Sequence, residues 1–211
     1  MVETVKPQSV EFWFDPACPW CWMTSRWLVE VSEARGFTVD WHTLSLGILN
    51  EGKELDDDHK AVYTAALQAL RVIEAARHDH GNEVVGKLYT EIGTRIHPEG
   101  RRDFDAILSE SLDAVGLPSD LIEAKDADSA DPKYGDLEEK VRQSTERALS
   151  LVGRDVGVPI ISVDGSSFFG PVVTPAPTGD DALRLFDGIV TAASVEGFYE
   201  LKRTRDAGPK F

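Results

Sequence analysis

Between Ser9 and Arg35 the apolar pattern changes its period, and two prolines mark the change. In Ser9–Asp15 (SVEFWFD), Val10, Phe12 and Phe14 alternate with Glu11 and Trp13, the spacing of an aromatic-rich strand. Beyond Pro16 and Pro19, the residues Met23, Trp27, Val31 and Ala34 recur at helical spacing. Arg35-Gly36 closes that run, as glycine past a helix end does. Phe37–Leu46 (FTVDWHTLSL) then reads as a second strand. A strand, a helix and a strand in direct succession predict a right-handed parallel βαβ unit.

Residues 47–154 have a different character. Val62, Ala65, Ala66, Ala69, Ile73 and Ala76 form one helical stripe, and Val84, Leu88, Ile92 and Ile96 a second. Phe104, Ile107, Leu108, Leu112 and Val115 form a third, ended by Gly116-Leu117-Pro118. Leu137, Val141, Ala148 and Leu151 predict a last helix before Gly153. Strand patterning then returns at Ile160–Val163, with Asp164-Gly165 as a hairpin turn and Ser167–Phe169 as its partner. Thr178, three residues before Asp181, resembles a capping arrangement for a final helix whose buried face is Leu183, Phe186, Ile189 and Val190. The order is β-α-β, helical insertion, β-β-α. This predicts an α/β fold in which two halves share one sheet around an inserted helical block.

Composition limits what such a fold can do. The 211 residues are 42% hydrophobic, enough for a core without disulfide staples. A net charge of −15 argues against a nucleic-acid partner or an anionic membrane surface, since phosphates would be repelled. No apolar run approaches the ~20 residues that span a bilayer. MVETVKPQSV contains no apolar leader segment, so the expected location is the cytoplasm.

The chain has only two cysteines, Cys18 and Cys21, in one C-x-x-C. A reducing compartment disfavours structural disulfides, and so short a loop stabilises little. The pair therefore reads as chemistry or metal. It follows a strand and opens a helix, where unpaired N–H groups and the helix dipole stabilise a thiolate. Cys18 is expected to face solvent as the nucleophile, with Cys21 a turn inside as the resolving thiol. Pro19 and Trp20 between them set geometry and access. The metal alternative is half of a zinc site. Zinc would need two more Cys or His ligands, and His42, His59, His78, His80 and His97 show no paired spacing tied to the cysteines.

Five further sites carry two readings each. Val158-Pro159 is either a plain strand opening or a cis-proline loop that packs beside Cys18 and presents the Val158 backbone to a substrate. Trp20 either packs in the protein or forms a platform for an aromatic substrate. Asn50 either caps the next helix or faces the cleft. His97, in Arg95-Ile96-His97-Pro98, is either a surface turn residue or a proton-transfer group near the thiols, and His59 has the same two readings. Gly81–Lys87 (GNEVVGK) has phosphate-loop spacing, but Leu88 replaces the Ser/Thr and no strand precedes it.

The stretch Phe12–Trp22 (FWFDPACPWCW) is the most specific segment of the chain. With it go Ser45-Leu46, Ile48-Leu49-Asn50, Leu88-Tyr89-Thr90, Arg95-Ile96-His97, Phe168-Phe169-Gly170-Pro171 and Leu201–Arg205 (LKRTR). Together they resemble the DsbA-like branch of the thioredoxin superfamily, and within it the actinobacterial mycothiol-dependent reductases, or mycothiol-dependent nitroreductases. The resemblance implies a thioredoxin-like domain over 1–46 and 155–211, with an all-helical subdomain over 47–154. It implies a cytosolic thiol–disulfide oxidoreductase that cycles Cys18–Cys21 with a low-molecular-weight thiol. Mycothiol would be the electron-donating cosubstrate, no cofactor would be tightly bound, and disulfides or nitro-aromatic compounds would be reduced. Pro19, Trp20, Asn50, His97, Val158 and Pro159 are the substrate-binding candidates on this reading, and no metal is expected. Two rival functions remain at this level: a DsbA-like protein disulfide oxidase or isomerase, and a non-catalytic thioredoxin-like metal or binding module.

Overall fold

The computed structural model describes residues 7–211, so Met1–Lys6 of the opening stretch MVETVKPQSV lie outside the described residues. The first half supplies β1 (Val10–Phe14), α1 (Pro19–Arg35) and β2 (Asp40–Thr43). A short α2 (Leu46–Leu49) leads to α3 (Asp57–His80), α4 (Val85–Ile96), α5 (Phe104–Ala114) and α6 (Leu137–Val152). The chain then returns as β3 (Ile160–Val163), β4 (Ser166–Phe169) and α7 (Gly179–Ala193). The four strands make one sheet in the order β2-β1-β3-β4. β1 and β2 are parallel, with Phe12 opposite Trp41, whereas β3 runs antiparallel to β1, with Ile161 opposite Phe12. That last pairing joins the two halves of the sequence.

The helices hold to the sheet through named contacts. On one face α1 meets α7, where the Trp27 indole N–H donates to Ala182 O at 3.0 Å and Arg35 makes a forked ion pair with Asp187. α6 is tied to β2 and to the start of α2. Ser144 Oγ donates to Thr43 O at 2.6 Å, and Ser45 N donates to Thr145 Oγ1 at 3.1 Å. Arg147 of α6 pairs with Glu11 and covers the Trp13 ring. α4 reaches the central strand through one aromatic pair. Tyr89 stacks on Phe14 with ring centres 3.9 Å apart. The core is therefore continuous from the sheet into the helical block, from Phe12 through Tyr89 to Ile107 and Leu121.

Two local expectations change, and one short element carried no sequence signal. β2 is shorter than Phe37–Leu46, because Leu46 N is captured by Asp15 Oδ2 and Ser45 Oγ caps Ile48 N, which turns the chain off the sheet into α2. Thr178 does sit at the N-cap of α7 but makes no side-chain cap bond; Glu30 of α1 reaches across to accept from Gly179 N instead. A 3₁₀ stretch, Ser119–Asp126, follows Pro118 where only two buried residues, Leu121 and Ala124, mark an apolar face. The Asp164-Gly165 hairpin is as expected, with both residues at positive φ, 50° and 87°.

Two glycines decide how near α4 can come. A Cβ at Gly86 would lie 2.5 Å from the Trp41 indole nitrogen, and one at Gly93 would overlap the Trp22 ring. An indole wedged in a core has no room to yield, and overpacking of this kind costs ~1–3 kcal/mol. Gly93→Ala is therefore expected to lower stability by that amount, read as a lower denaturant midpoint at unchanged m-value. An unchanged midpoint would mean that α4 can move off Trp22 freely.

Candidate active site

Cys18 is the N-cap residue of α1, Pro19 is its first helical residue, and Trp22 N bonds Cys18 O at 3.2 Å to start the helical ladder. No acidic residue occupies the first turn, so nothing there neutralises the positive end of the helix dipole. Both cysteines are free thiols. Cys21 is fully buried, and its thiol is pushed well above the usual range, first by burial and then by its hydrogen bond to Cys18. Cys18 is less open than expected, with only 6% of its surface exposed. The reason is the Val158–Pro159 segment packed against it. Cys18 Sγ lies 3.8 Å from Val158 O, within reach of an S–H···O bond, and the Val158–Pro159 peptide is cis.

The most informative residue at the site escaped the sequence reading. Asp15 directly follows β1, with its carboxyl wholly buried. Burial raises its pKa to about 6, although Leu46 N and Ala17 N each donate to the carboxylate at 2.8 Å and oppose the rise. Its backbone also bonds toward Cys21, and its negative charge adds to the rise at that thiol. The available signal was an acid directly after an apolar strand and before the CxxC. Tyr63 of α3 was also missed. Its phenol is pushed up first by burial and then by the charges of Asp15 and Cys18.

The other candidates are spread around this centre. Pro19 and Trp20 are half-buried, and Trp20 has the Arg205 guanidinium over its ring at 4.7 Å. His97 is buried, not a surface turn residue. It stacks on Trp22, and its Nε2–H donates to Pro16 O at 3.0 Å, in the loop that leads to Cys18. Burial is the main cause that lowers its pKa to about 4, so the ring is neutral at pH 7. Asn50 ends α2, with its Nδ2 donating back to Leu46 O at 2.8 Å and its Oδ1 accepting from Lys53. The helix that follows is capped by Asp56 instead, which also binds the exposed ring of His59. Val158 and Pro159 are both buried beside Cys18. Among the described residues, the ionisable side chains gathered closely enough to share an ion are Glu11, Asp40 and His42, within 4.8 Å. Neither cysteine belongs to that group, and Arg147 already pairs with Glu11 there.

A sheet of order β2-β1-β3-β4, a CxxC at the start of the first helix and a helical block before β3 define a DsbA-like thioredoxin fold. Solved structures agree. The cytosolic disulfide reductase DsbM from Pseudomonas aeruginosa, determined with GSH, aligns with a TM-score of 0.57 at 18% identity, over 87% of this chain and 99% of that one. A 2-hydroxychromene-2-carboxylate isomerase aligns with a TM-score of 0.59 at 14% identity, over 87% and 95%. Within that fold the sequence is more specific. The Rv2466c-like family model, described as mycothiol-dependent nitroreductase Rv2466c, matches residues 17–203, and the chain belongs to this family. The protein Rv2286c of Mycobacterium tuberculosis (strain ATCC 25618 / H37Rv), described as uncharacterized, is 30% identical over 200 residues, 93% of this chain and 82% of that protein.

His97 makes a stability prediction. The unfolded ring titrates near 6.5 and the folded ring near 4, so the unfolded chain binds more protons between those values. His97 thus contributes stability above about pH 6.5 that is lost as pH falls toward 4. Asp15, raised from 3.8 to about 6, has the opposite sign, its contribution being lost as pH rises through 6. The comparison with His97→Gln isolates the first effect. Between pH 7 and pH 4 the wild type should lose about 2–3 kcal/mol relative to the variant in denaturant unfolding. Parallel pH curves would mean that the ring is not held neutral.

Proposed function

We propose that this chain is a cytoplasmic thiol–disulfide oxidoreductase that uses Cys18 and Cys21 as its dithiol, takes electrons from mycothiol, and reduces disulfides or nitro-aromatic compounds. The reading rests on one arrangement: Cys18 caps α1 at its positive end with Val158 O 3.8 Å from its Sγ, and Cys21 lies one turn inside the same helix. The site lies where the thioredoxin-like part (1–46 and 155–211) meets the helical block (47–154). The cytoplasmic assignment is supported by the likeness of the fold to DsbM, which is described as cytosolic. No helix among the described residues is long and apolar enough to cross a membrane.

In the proposed cycle the Cys18 thiolate attacks one sulfur of a disulfide substrate, forms a mixed disulfide and expels the first thiolate. Cys21 loses its proton and attacks Cys18 Sγ. The Cys18–Cys21 disulfide forms and the second thiolate leaves. One mycothiol thiolate then opens that disulfide to a mixed disulfide on Cys18, and a second mycothiol releases it as oxidised mycothiol. For a nitro compound, the dithiol supplies two electrons and two protons, giving the nitroso compound, water and the same Cys18–Cys21 disulfide. Asp15 acts as the proton acceptor for Cys21, since an ordinary thiol at that depth would not ionise on its own. Trp20, with Pro19 beside it, faces the incoming substrate, Val158 and Pro159 line the site behind Cys18, and His97 and Asn50 hold the loops around it.

Two experiments test this. Cys21→Ser should trap the small thiol as an adduct on Cys18, seen by mass spectrometry after exposure to oxidised mycothiol, while Cys18→Ser should lose both adduct and turnover. An adduct on Cys21 in the Cys18→Ser protein would reverse the roles, and turnover with thioredoxin but never with mycothiol would replace the donor. In single-turnover measurements, the Cys21-dependent resolution rate should fall as pH drops through about 6, where Asp15 becomes protonated. Asp15→Asn should slow that step and abolish the inflection. An inflection that survives the substitution would assign the proton to another group.

A further inference from the structure

The last segment of the chain, residues 194–211, has no regular secondary structure, yet it runs directly over the active-site aromatics. Phe198 packs on Phe168 with ring centres 5.7 Å apart. Thr174 then holds the segment twice, its Oγ1 donating to Gly208 O at 3.2 Å and accepting from Lys210 N at 2.9 Å. Between these anchors Arg205 lies over Trp20, and beyond them Phe211 lies against His97 with ring centres 5.4 Å apart. The segment thereby covers both Trp20, which separates the two cysteines, and His97, which stacks on Trp22.

Its charge is opposite to that of the molecule. Residues 201–211 carry Lys202, Arg203, Arg205 and Lys210 against one acid, Asp206, in a chain of net charge −15. The Arg205 side chain is exposed, and among the described residues no carboxylate lies within ion-pair distance of it. A guanidinium lying over an aromatic ring is attracted through its face, so its in-plane N–H donors stay available for a planar anion. The net negative charge of the chain disfavours an anionic substrate in general, and a local cluster of cations at this mouth offsets that repulsion.

We propose that residues 201–211 form the outer wall of the active-site mouth and that Arg205 is a specificity-determining residue that receives the carboxylate of an anionic aromatic substrate. The proposal rests on Cys18 being the nucleophile of the disulfide reaction proposed above. The substrate's ring packs beside Trp20 while its carboxylate meets Arg205, which orients the reacting group toward Cys18. Lys202, Arg203 and Lys210 add attraction at longer range that is screened by salt.

The test uses two aromatic disulfides that differ in charge, the dianion 5,5′-dithiobis(2-nitrobenzoate) and the neutral 2,2′-dithiodipyridine, with the fully reduced protein. Arg205→Gln should lose about tenfold in the rate constant for the dianion and stay within about twofold for the neutral disulfide. Arg205→Lys should recover part of the loss, because the charge remains and the fork does not. Added salt should narrow the difference between wild type and Arg205→Gln for the dianion alone. Equal losses on both disulfides would show that Arg205 only supports the segment, and no loss on either would show that it contacts no substrate; each outcome overturns the proposal. A readout free of chemistry separates it from the assignment of Cys18. In the Cys18→Ser background, calorimetric binding of 4-nitrobenzoate should weaken about tenfold with Arg205→Gln, while that of methyl 4-nitrobenzoate should not change. If Cys18→Ser still reacted with both disulfides while that binding difference held, the nucleophile would be misassigned and the anion recognition would stand. Equal binding of acid and ester in the presence of Arg205 would overturn the recognition itself.

Discussion

One buried carboxyl, Asp15, joins the two turns from which the site is built. Its Oδ1 accepts from Ala17 N, shaping the approach to Cys18, and its Oδ2 accepts from Leu46 N, where β2 gives way to α2. A carboxylate out of contact with water is costly unless hydrogen bonds compensate, and here two backbone bonds compensate only in part, so the group titrates near neutrality. That residual cost is the source of its usefulness. A fully solvated acid would be too weak a base to receive a thiol proton, and a fully neutralised one would bear no charge to act on Cys21.

The helical block is part of the same packing problem and not an appendage. Glycines at 86 and 93 let α4 lie against Trp41 and Trp22, and Tyr89 stacks on Phe14 of the central strand. The block thereby brings His97 to a site whose cysteines stand on the other part of the chain. His97 reaches back to Pro16 O and fixes the loop before Cys18 from outside, while the neutral ring avoids placing a second positive charge there. The Glu11–Asp40–His42 group answers a different demand. It ends in the Arg147 ion pair that fastens α6 across the sheet, and His42 stacks on Trp13 beneath it.

Much of this was legible in order along the chain. The alternation at Val10, Phe12 and Phe14, the helical spacing from Met23 to Ala34, the four stripes of the insertion and the Asp164-Gly165 turn are local periodicities, and local backbone geometry enforces them. The placement of Cys18 and Cys21 at a strand–helix junction followed from the same reasoning, and so did the chemistry expected of thiols at a helix start. The length of β2 was not legible, because it is ended by Asp15, a residue 31 positions away in sequence.

What the sequence by itself determined is the principal strands and helices, their order, and a dithiol at the start of the first helix. The tertiary structure alone decided the environment of that dithiol. It buried Cys18 against Val158, sealed Asp15 from water, drew His97 inward and laid Arg205 over Trp20. The physical reason is common to all four. Burial and proximity depend on which distant segments pack together, and no spacing within a single segment encodes the dielectric or the neighbours that a side chain meets once the chain has closed on itself.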